Sequence, residues 1–455
     1  MSFVNRLPLT IASCYEVVHL ELTRDEDHGI IDDDLAHIIP WCPNLETVRL
    51  TGIPDLTDRT VVLLARTAPQ LLELDISGCI HITDTAILEL AKLATDLEAV
   101  KLNGLATLTD PSISALARSL TELSELEICN LPLITPLTIR AIWTFSTGLK
   151  RLKVAHCIHL TDKAFPYPPR RERIARRSRA STALSVSATQ DPSRSSDGTR
   201  PSTWLDDLPP LEFSPGHKLS DLRLLDLSYC MQLTDIAIAG IVAYAPRIQH
   251  LNLSGCMALS DSAAEAIATL GSHLNELTMP RSGSLTDRGV VSIVRTCTQL
   301  KSVDVSFNSR LTDLAVMELA TLQHLQRLSV VGLKHLTDNA VLFLAEHTPT
   351  LERLHISRCR QLGLDALHVV LRKLGKLEHL SVSAVPALKR RGVERFSERP
   401  PPLYHEDKHG IYRVYRGENI RSLRRFLDKE LGRLREAEEK NIVFVPRADD
   451  STDLY

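Results

Sequence analysis

The chain has 455 residues, of which 44% are hydrophobic and 24% are charged, and its formal net charge is −3. This balance produces no general attraction to nucleic acid, so we predict no nucleic-acid partner. No stretch approaches the roughly 18 uninterrupted apolar residues of a membrane-spanning helix, and the first residues do not have the pattern of a secretory signal. We therefore expect no membrane partner either.

One short pattern, L-x-x-L-x-L, recurs along most of the chain at a nearly constant interval. Its central apolar residues are Leu20, Val48, Leu74, Val100, Leu126, Leu152, Leu225, Leu251, Leu277, Val303, Leu328, Leu354 and Leu380. Most of the intervals are 26 residues, and the long one, 73 residues, equals 26 plus 47. A fixed period in this range is typical of a leucine-rich-repeat solenoid.

Each repeat indicates a strand, a turn and a helix, in that order. In one unit, Leu71–Ile76 alternates apolar and polar residues, as does a strand with one buried face. Thr83 and Asp84 then stand where a helix N-cap is expected, and helical spacing of apolar residues follows over 87–93. We therefore predict an α/β horseshoe with a parallel inner sheet of about 13 strands and outer helices, built from repeats over 1–163 and 219–385.

Residues 164–218 interrupt the repeats in the helix half of one unit. The stretch Arg170–Arg179 carries six arginines and one glutamate, and a Ser-rich stretch poor in large apolar residues follows it. Such a composition buries too little surface to fold, so we predict a disordered insertion on the outer face. The arginine run has three interpretations: a solvated charge block, a nuclear import signal or anionic-surface contact, and a phosphorylation site.

The nine cysteines follow the phase of the repeat. Five of them lie five residues after a central apolar residue: Cys79, Cys157, Cys230, Cys256 and Cys359. This placement favours a structural role for reduced thiols and a location in the cytoplasm, the nucleus or both. Metal sites need close pairs such as C-x-x-C, and the sequence has none, so we predict no metal and no cofactor.

Residues 386–455 leave the repeat and form a different tail. It contains a proline run, a short alternating piece over Ile411–Tyr415, and a helix predicted from about Asn419 to Lys440 with one apolar stripe. We predict a cap on the open edge of the last repeat, because solenoids need one. A dimerising coiled coil is the alternative for the same stripe.

The repeats, with their phased cysteines and recurring L-T-D, resemble those of F-box/leucine-rich-repeat proteins. The tail, ERFSERPPPLYHEDKHGIYRVYRGENIRSLRRFL, is similar to the C-terminal signature of the fungal glucose-repression-resistance F-box family. The matching positions are Phe396, Pro400, Pro401, Tyr404, Tyr412, Val414, Tyr415, Gly417, Ile420, Leu423, Arg424 and Leu427. The family's second glycine is Asn419 here, and SFVNRL near the start also resembles the family. The resemblance covers nearly the whole chain.

The resemblance implies the substrate-recognition subunit of an SCF-type E3 ubiquitin ligase. In that family an F-box binds the adaptor of the adaptor–cullin complex, the repeats bind phosphorylated protein substrates, and partner proteins transfer ubiquitin. An F-box is expected before SFVNRL, where this chain begins, so adaptor binding is expected only if that F-box is restored. The alternative is an F-box-less repeat protein that sequesters a partner in cell-cycle or mitotic-exit control without ubiquitin transfer.

Charges on the predicted inner face are uneven along the chain. The early inner face is mainly acidic, whereas basic residues concentrate on the late inner face and at the strand exits. Arginine matches the charge and the oxygen geometry of a phosphate group. We therefore predict a phosphate-binding site formed by Arg281, Arg327, Arg353, His355 and Arg358, against the simpler interpretation that these are solvated side chains.

No motif of an enzyme is present in the sequence. It contains no G-x-S-x-G, no phosphate-binding loop and no H-E-x-x-H, and its histidines are scattered over different phases of the repeat. We therefore predict a receptor without catalytic residues.

Overall fold

A computed structural model of the chain describes residues 2–4, 7–8, 10–23, 31–169, 204–205, 207–214, 216–389 and 391–444. Within these residues, fifteen short strands form one sheet in which every strand pairs with its neighbours in sequence. The strands are Ser2–Val4 (β1), His19–Thr23 (β2), Thr47–Thr51 (β3), Glu73–Asp75 (β4), Ala99–Lys101 (β5), Glu125–Glu127 (β6), Arg151–Lys153 (β7), Leu224–Asp226 (β8), His250–Asn252 (β9), Glu276–Thr278 (β10), Ser302–Asp304 (β11), Arg327–Ser329 (β12), Arg353–His355 (β13), His379–Ser381 (β14) and Val414–Arg416 (β15).

Helices follow nearly every strand and form the outer layer. They are Ile11–Tyr15 (α1), Asp32–Ile38 (α2), Asp58–Thr67 (α3), Asp84–Leu93 (α4), Asp110–Ser119 (α5), Pro136–Phe145 (α6), Asp235–Tyr244 (α7), Asp261–Ile267 (α8), Asp287–Thr296 (α9), Asp313–Leu319 (α10), Asp338–His347 (α11), Leu364–Lys373 (α12), Arg391–Glu394 (α13), Glu406–His409 (α14) and Glu418–Glu439 (α15). In the described part of the chain, every helix is too short or too polar to cross a lipid bilayer.

The predicted α/β horseshoe is confirmed. The thirteen central apolar residues lie on β2 to β14, those of neighbouring strands face each other directly, as Leu328 faces Leu354, and none is more than 3% exposed. Burial of each such side chain stabilises the fold by about 2 kcal/mol. The structure adds two strands that the repeat did not predict: β1, parallel to β2, and β15, antiparallel to β14.

The cysteines that follow the phase of the repeat stabilise the turn at which the chain leaves each strand. The Cys79 thiol donates a hydrogen bond to the Leu50 carbonyl of the preceding unit at 3.0 Å, and the Asn308 amide donates to the Met279 carbonyl at 3.1 Å in the same position. Equivalent bonds join Cys157 to Ile128, Cys230 to Val154, Cys256 to Leu227 and Cys359 to Val330. Each bond satisfies a buried carbonyl that sheet pairing leaves open.

An aspartate at the start of most helices joins one unit to the next. The Asp287 carboxylate accepts the backbone N–H of Thr312 at 2.9 Å and its hydroxyl at 2.6 Å. The same pair of bonds recurs between Asp32 and Thr57, Asp58 and Thr83, Asp84 and Thr109, Asp110 and Thr135, Asp162 and Thr234, Asp235 and Ser260, Asp261 and Thr286, and Asp313 and Thr337. Sequence analysis predicted only a cap within each unit.

The interrupted unit has no full helix. After β7 the chain makes one short 3-10 turn, Asp162–Ala164, where α6 and α7 on either side have ten residues each. Phe165 is buried against Trp143, with ring centroids 6.4 Å apart, and the Tyr167 N–H donates to the Leu211 carbonyl at 2.8 Å. The two ends of segment 164–218 therefore belong to the fold, and the predicted disorder of residues 170–203 lies outside the described residues.

The tail packs on the last repeat. Tyr415 of β15 is fully buried, and α15 buries Ile420, Leu423, Phe426 and Leu427, the side that faces α12. Between these helices, the Nε2 of His368 lies 2.8 Å from Oδ1 of Asp428. Most of the apolar stripe of α15 is thus covered by this chain's own residues.

Candidate binding surface

The early inner face is a network of opposite charges. Lys101 lies 3.4 Å from the carboxylate of Glu125 and 3.8 Å from that of Glu127, and Lys153 is 2.8 Å from Glu127. Further pairs are Arg49 with Glu73 at 3.0 Å and Arg151 with Glu125 at 3.0 Å. Burial alone would raise the pKa of Glu127, but hydrogen bonds from Lys153 and Asn103 and the charges of both lysines outweigh burial and lower it. The glutamates of the early inner face, Glu73, Glu125 and Glu127, are therefore neutralised by neighbours on adjacent strands.

The late inner face is different. Arg327 of β12 and Arg353 of β13 stand directly opposite each other in the sheet, and both are exposed. Within the described residues neither arginine forms an ion pair, although Arg151, at the same position of its own strand, does. Neighbouring strands are about 4.8 Å apart, and like charges placed opposite each other are destabilising. The pair costs stability unless an anion lies between the two side chains.

The same row continues over the next two strands. His379 of β14 follows Arg353, and Arg416 of β15 follows His379. We call Arg327, Arg353, His379 and Arg416 the late inner row. Arg416 has a partner, because its Nε lies 3.5 Å from the Glu398 carboxylate.

His379 of the late inner row and its neighbour His355 are held neutral. His355 Nε2 and His379 Nδ1 are 3.0 Å apart, a distance that requires one ring nitrogen to donate and the other to accept. Burial lowers the pKa of both rings, and that of His379 falls to about 4 because His355, Arg416 and Arg353 add to burial. At neutral pH the pair therefore offers uncharged hydrogen-bonding groups next to two fixed positive charges.

Arg327, Arg353 and His355 border one depression of about 230 Å³. Its polar lining also includes the hydroxyls of Thr278, Ser302 and Ser329 and a single carboxylate, that of Asp304. Two guanidinium groups with neighbouring hydroxyls fit the oxygens of a phosphate group. Burial, with the charges of Arg353 and Arg416, lowers the pKa of His355 although the Asp304 carboxylate opposes this, so the ring stays uncharged at neutral pH.

The other two predicted residues lie elsewhere. Arg281 and Arg358 stand four residues after the central residue of their strands, where the chain leaves the sheet, with φ of 60° and 61°. In five units this position is a glycine, namely Gly52, Gly78, Gly104, Gly255 and Gly332. Left-handed backbone costs about 1 to 2 kcal/mol in a residue with a side chain. The structure thus separates the five predicted residues into an inner group of three and two residues at the strand exits.

More of the strand exits carry large side chains under the same backbone strain. His156, Tyr229 and Phe307 also have φ near 60°. The rings of His156 and Tyr229 stack at 4.3 Å, and the Arg281 guanidinium lies over the Phe307 ring at 5.1 Å. Sequence analysis missed these residues, yet a signal existed: each stands at the phase where other units have glycine.

The described residues hold no group of three or more histidine, cysteine, aspartate or glutamate side chains that could bind a metal ion. The cysteines are free, and most are buried. Burial raises the pKa of the Cys79, Cys157 and Cys359 thiols to about 11. These thiols are therefore poor nucleophiles at neutral pH.

Comparison with known proteins shows which solved structures this fold resembles. No protein-family model matches the chain. The yeast protein Rad7, in a crystal structure of the Rad7 and Elc1 complex, is similar over 76% of this chain and 77% of its own, with 16% identity and a TM-score of 0.54. An internalin (inlF) from Listeria monocytogenes is similar over 82% of each chain, with 18% identity and a TM-score of 0.48. At these identities the likeness to Rad7 concerns the fold alone, and with the fifteen-stranded sheet it identifies the chain as a leucine-rich-repeat solenoid.

Proposed function

We propose that this chain is a protein-binding receptor that holds phosphorylated proteins on its late inner face. The observation that carries the proposal is the pair Arg327 and Arg353, opposite each other on adjacent strands and without an ion-pair partner among the described residues. The early inner face shows that this repeat can neutralise its charges across strands. An unneutralised pair is therefore a place where an anionic ligand lowers the free energy.

The ligand that fits this pair is a phosphorylated side chain of a protein. A phosphoserine has nearly two negative charges and three acceptor oxygens, which two guanidinium groups can bind together. The curved sheet offers a long face on which the rest of a protein segment can lie. Rad7, a protein of the same fold, was crystallised with a second protein, which agrees with a role in protein assembly.

We further propose that the receptor serves an SCF-type ubiquitin ligase, as the resemblance of its tail implies. In this role the chain has no catalytic step of its own: it positions a phosphorylated substrate, and partner proteins transfer ubiquitin. The resemblance is supported by the burial of four of its matching positions, Tyr415, Ile420, Leu423 and Leu427, where β15 and α15 pack on the last repeat.

Phosphate recognition can be tested with fluorescent peptide libraries that have a fixed central phosphoserine or, as a control, a fixed serine. We expect Arg327→Glu and Arg353→Glu each to weaken phosphopeptide binding at least about tenfold, since a hydrogen bond to a charged group contributes about 1.5 to 3 kcal/mol. Arg151→Glu is the matched control, because Arg151 has the same place on its strand but is paired with Glu125. Unchanged binding in both site variants, with unchanged thermal unfolding, contradicts phosphate recognition by this row.

The ligase role is tested separately by a pull-down with the purified adaptor of SCF ligases. Capture of the adaptor by a chain that includes any F-box encoded upstream of Met1 supports the receptor role. If the gene encodes no F-box and the adaptor is not captured, the chain is a binding protein that sequesters its partner without ubiquitin transfer.

A further inference from the structure

The strand exits of the last units form a second basic surface outside the inner face. A groove of about 720 Å³ lies there, and its border includes Phe307, Gly332, Lys334, Arg358, Arg360 and Lys408. We call it the exit groove. Four of its bordering residues are lysine or arginine and none is acidic. The nearest acids along the chain, Glu406 and Asp407, belong to α14 but do not border the groove.

Two residues of the groove have side chains at positions where the backbone favours glycine. Phe307 and Arg358 both have left-handed backbone, although glycine occupies this position in other units. Gly332, between them, leaves room for the Phe307 ring: a Cβ on Gly332 would lie 2.8 Å from Cδ1 of that ring. The ring therefore lies across the next unit as one wall of the groove, with 39% of its surface exposed.

The tail closes the groove at its other end. The Arg358 guanidinium donates to Nδ1 of His409 at 3.2 Å, so an acceptor nitrogen of α14 orients this arginine. A Cβ on Gly410, which follows α14, would lie 2.6 Å from the Cβ of Ala384, so the chain approaches the last strand exit closely. In the part of the chain that the structure describes, Lys334, Arg358, Arg360 and Lys408 have no carboxylate within ion-pair distance.

The exit groove and the late inner row share the unit of β13. Arg353 begins β13, and Arg358 leaves the same unit five residues later. Five residues span at most about 17 Å, so an extended peptide that lies along β13 reaches from one site to the other within about three to six of its own residues.

We propose that the exit groove binds a second, acidic stretch of the same protein segment whose phosphate is held by Arg327 and Arg353. This inference rests on the proposed function and names its ligand more closely. The ligand is an extended peptide with a phosphorylated residue, then an apolar residue that contacts Phe307, and then a cluster of carboxylates or a second phosphate within about six residues. Charge complementarity selects this occupant, because the groove border is basic and apolar without an acid.

The experiment uses the full chain and three fluorescent peptides of equal length. The first has a phosphoserine, a short spacer with one leucine, and three glutamates. The second replaces the glutamates by glutamines, and the third keeps the glutamates but has an unphosphorylated serine. We expect the first peptide to bind at least about tenfold more tightly than the second, since several exposed charge pairs add together.

Two variants separate the sites. The groove variant Arg358→Glu/Arg360→Glu/Lys408→Glu should lose the preference for the first peptide, because its reversed charges repel the glutamates, whereas Arg327→Glu/Arg353→Glu should weaken binding of both peptides. A matched control, Arg66→Glu/Lys92→Glu/Arg295→Glu, reverses three charges in the last turns of outer helices and should leave the difference between the peptides unchanged. Thermal unfolding of each variant shows whether it is folded.

Each outcome decides between the two proposals. Equal affinity of the unchanged protein for the first and second peptides overturns the exit groove as a site, whereas no binding of either peptide contradicts the proposed function as well. If the inner-face variant still binds the second peptide normally, the proposed function fails instead. A synthetic peptide of residues 445–455, which contains three aspartates, serves as competitor. If it displaces the first peptide as well as the unlabelled first peptide does, the occupant is this chain's own tail and the proposed partner is wrong.

Discussion

Asp162 joins the two blocks of repeats across the interrupted unit, and Asp162→Ala tests how much this contact contributes. Its carboxylate accepts the Thr234 N–H at 2.8 Å and the Thr234 hydroxyl at 2.5 Å, although 72 residues separate the two positions. A hydrogen bond to a charged group contributes about 1.5 to 3 kcal/mol, and this site is half-buried, so we take the lower value for each bond. The substitution should reduce the free energy of unfolding by about 3 kcal/mol.

The position of the contact matters as much as its strength. Units of a solenoid unfold together only if every interface between neighbours is strong. The unit that begins with β7 has a three-residue turn in place of a ten-residue helix, so only this short turn lies between α6 and α7 in the outer layer. Loss of Asp162 should therefore split unfolding into two steps, one for each block of repeats.

Asp287→Ala is the comparison inside an uninterrupted block. Asp287 makes the same two bonds to Thr312, at 2.9 and 2.6 Å, and also begins a full helix. We expect a slightly larger loss, by about 0.5 kcal/mol from the helix dipole, but a single transition. Asp55→Ala, an exposed aspartate on a turn, should change stability by less than about 0.5 kcal/mol.

The assay is urea unfolding followed by circular dichroism, with hydrogen exchange read by mass spectrometry to locate the part that opens first. The reasoning is refuted if Asp162→Ala stays within about 0.5 kcal/mol of the unchanged protein. It is also refuted in part if Asp162→Ala and Asp287→Ala both unfold in one step, because the interrupted unit would then not be the weak interface.

Three further predictions concern other contacts. Gly240→Ala would place a Cβ 1.7 Å from the Pro166 carbonyl oxygen, so it should displace the segment after the 3-10 turn and speed proteolysis there, whereas Gly148→Ala, with no atom within 4 Å, should not. Burial alone would raise the pKa of Asp84, but hydrogen bonds from the next unit outweigh it and lower the pKa. The stability that Asp84 contributes is thus present above its unfolded pKa of about 3.9 and is lost as pH falls through the folded value, and Asp84→Asn should flatten the acid limb of a stability–pH curve. Burial raises the pKa of Cys256 to about 12, so Ellman's reagent at pH 8 should label it only in urea, and rapid labelling of the folded chain would contradict its burial.

The repeat predicted the fold well because its signal is local. A central residue such as Leu328 is buried wherever its unit stands, since each unit packs against near copies of itself. The same locality explains the strands that were missed. β1 and β15 lie at the two edges of the sheet, where no repeat follows, and β15 pairs in the opposite direction after a long excursion of the chain.

Contacts between units were harder to predict. The threonine or the aspartate before each helix was expected to cap that helix, yet the Asp287 carboxylate accepts hydrogen bonds from Thr312 of the next unit, because residues 25 positions apart in sequence become neighbours in a solenoid. The early inner face was expected to be acidic with Lys101, Arg151 and Lys153 interrupting it, but the sequence did not show that Lys101 and Lys153 pair with carboxylates of adjacent strands. Both sets of contacts depend on how neighbouring strands align with each other. The sequence of a single unit does not contain this alignment.

The candidate site was predictable only in part. Strand phase placed Arg327, Arg353 and His355 on the inner face, where the structure has them. Strand phase also placed Arg281 and Arg358 at strand exits, where they lie, but neither composition nor apolar periodicity indicates their left-handed backbone. Their role in binding, like that of the inner three, stays a prediction.

The strained strand exits put two kinds of selection in opposition. Glycine at Phe307 or Arg358 would relieve left-handed backbone and should stabilise the fold by about 1 kcal/mol after its own entropy is counted. Mutagenesis that selects only for thermal resistance should therefore enrich glycine at these positions, and selection for ligand capture should reject the same change. Strand-exit positions at which the two selections give opposite results are therefore the positions that bind a partner.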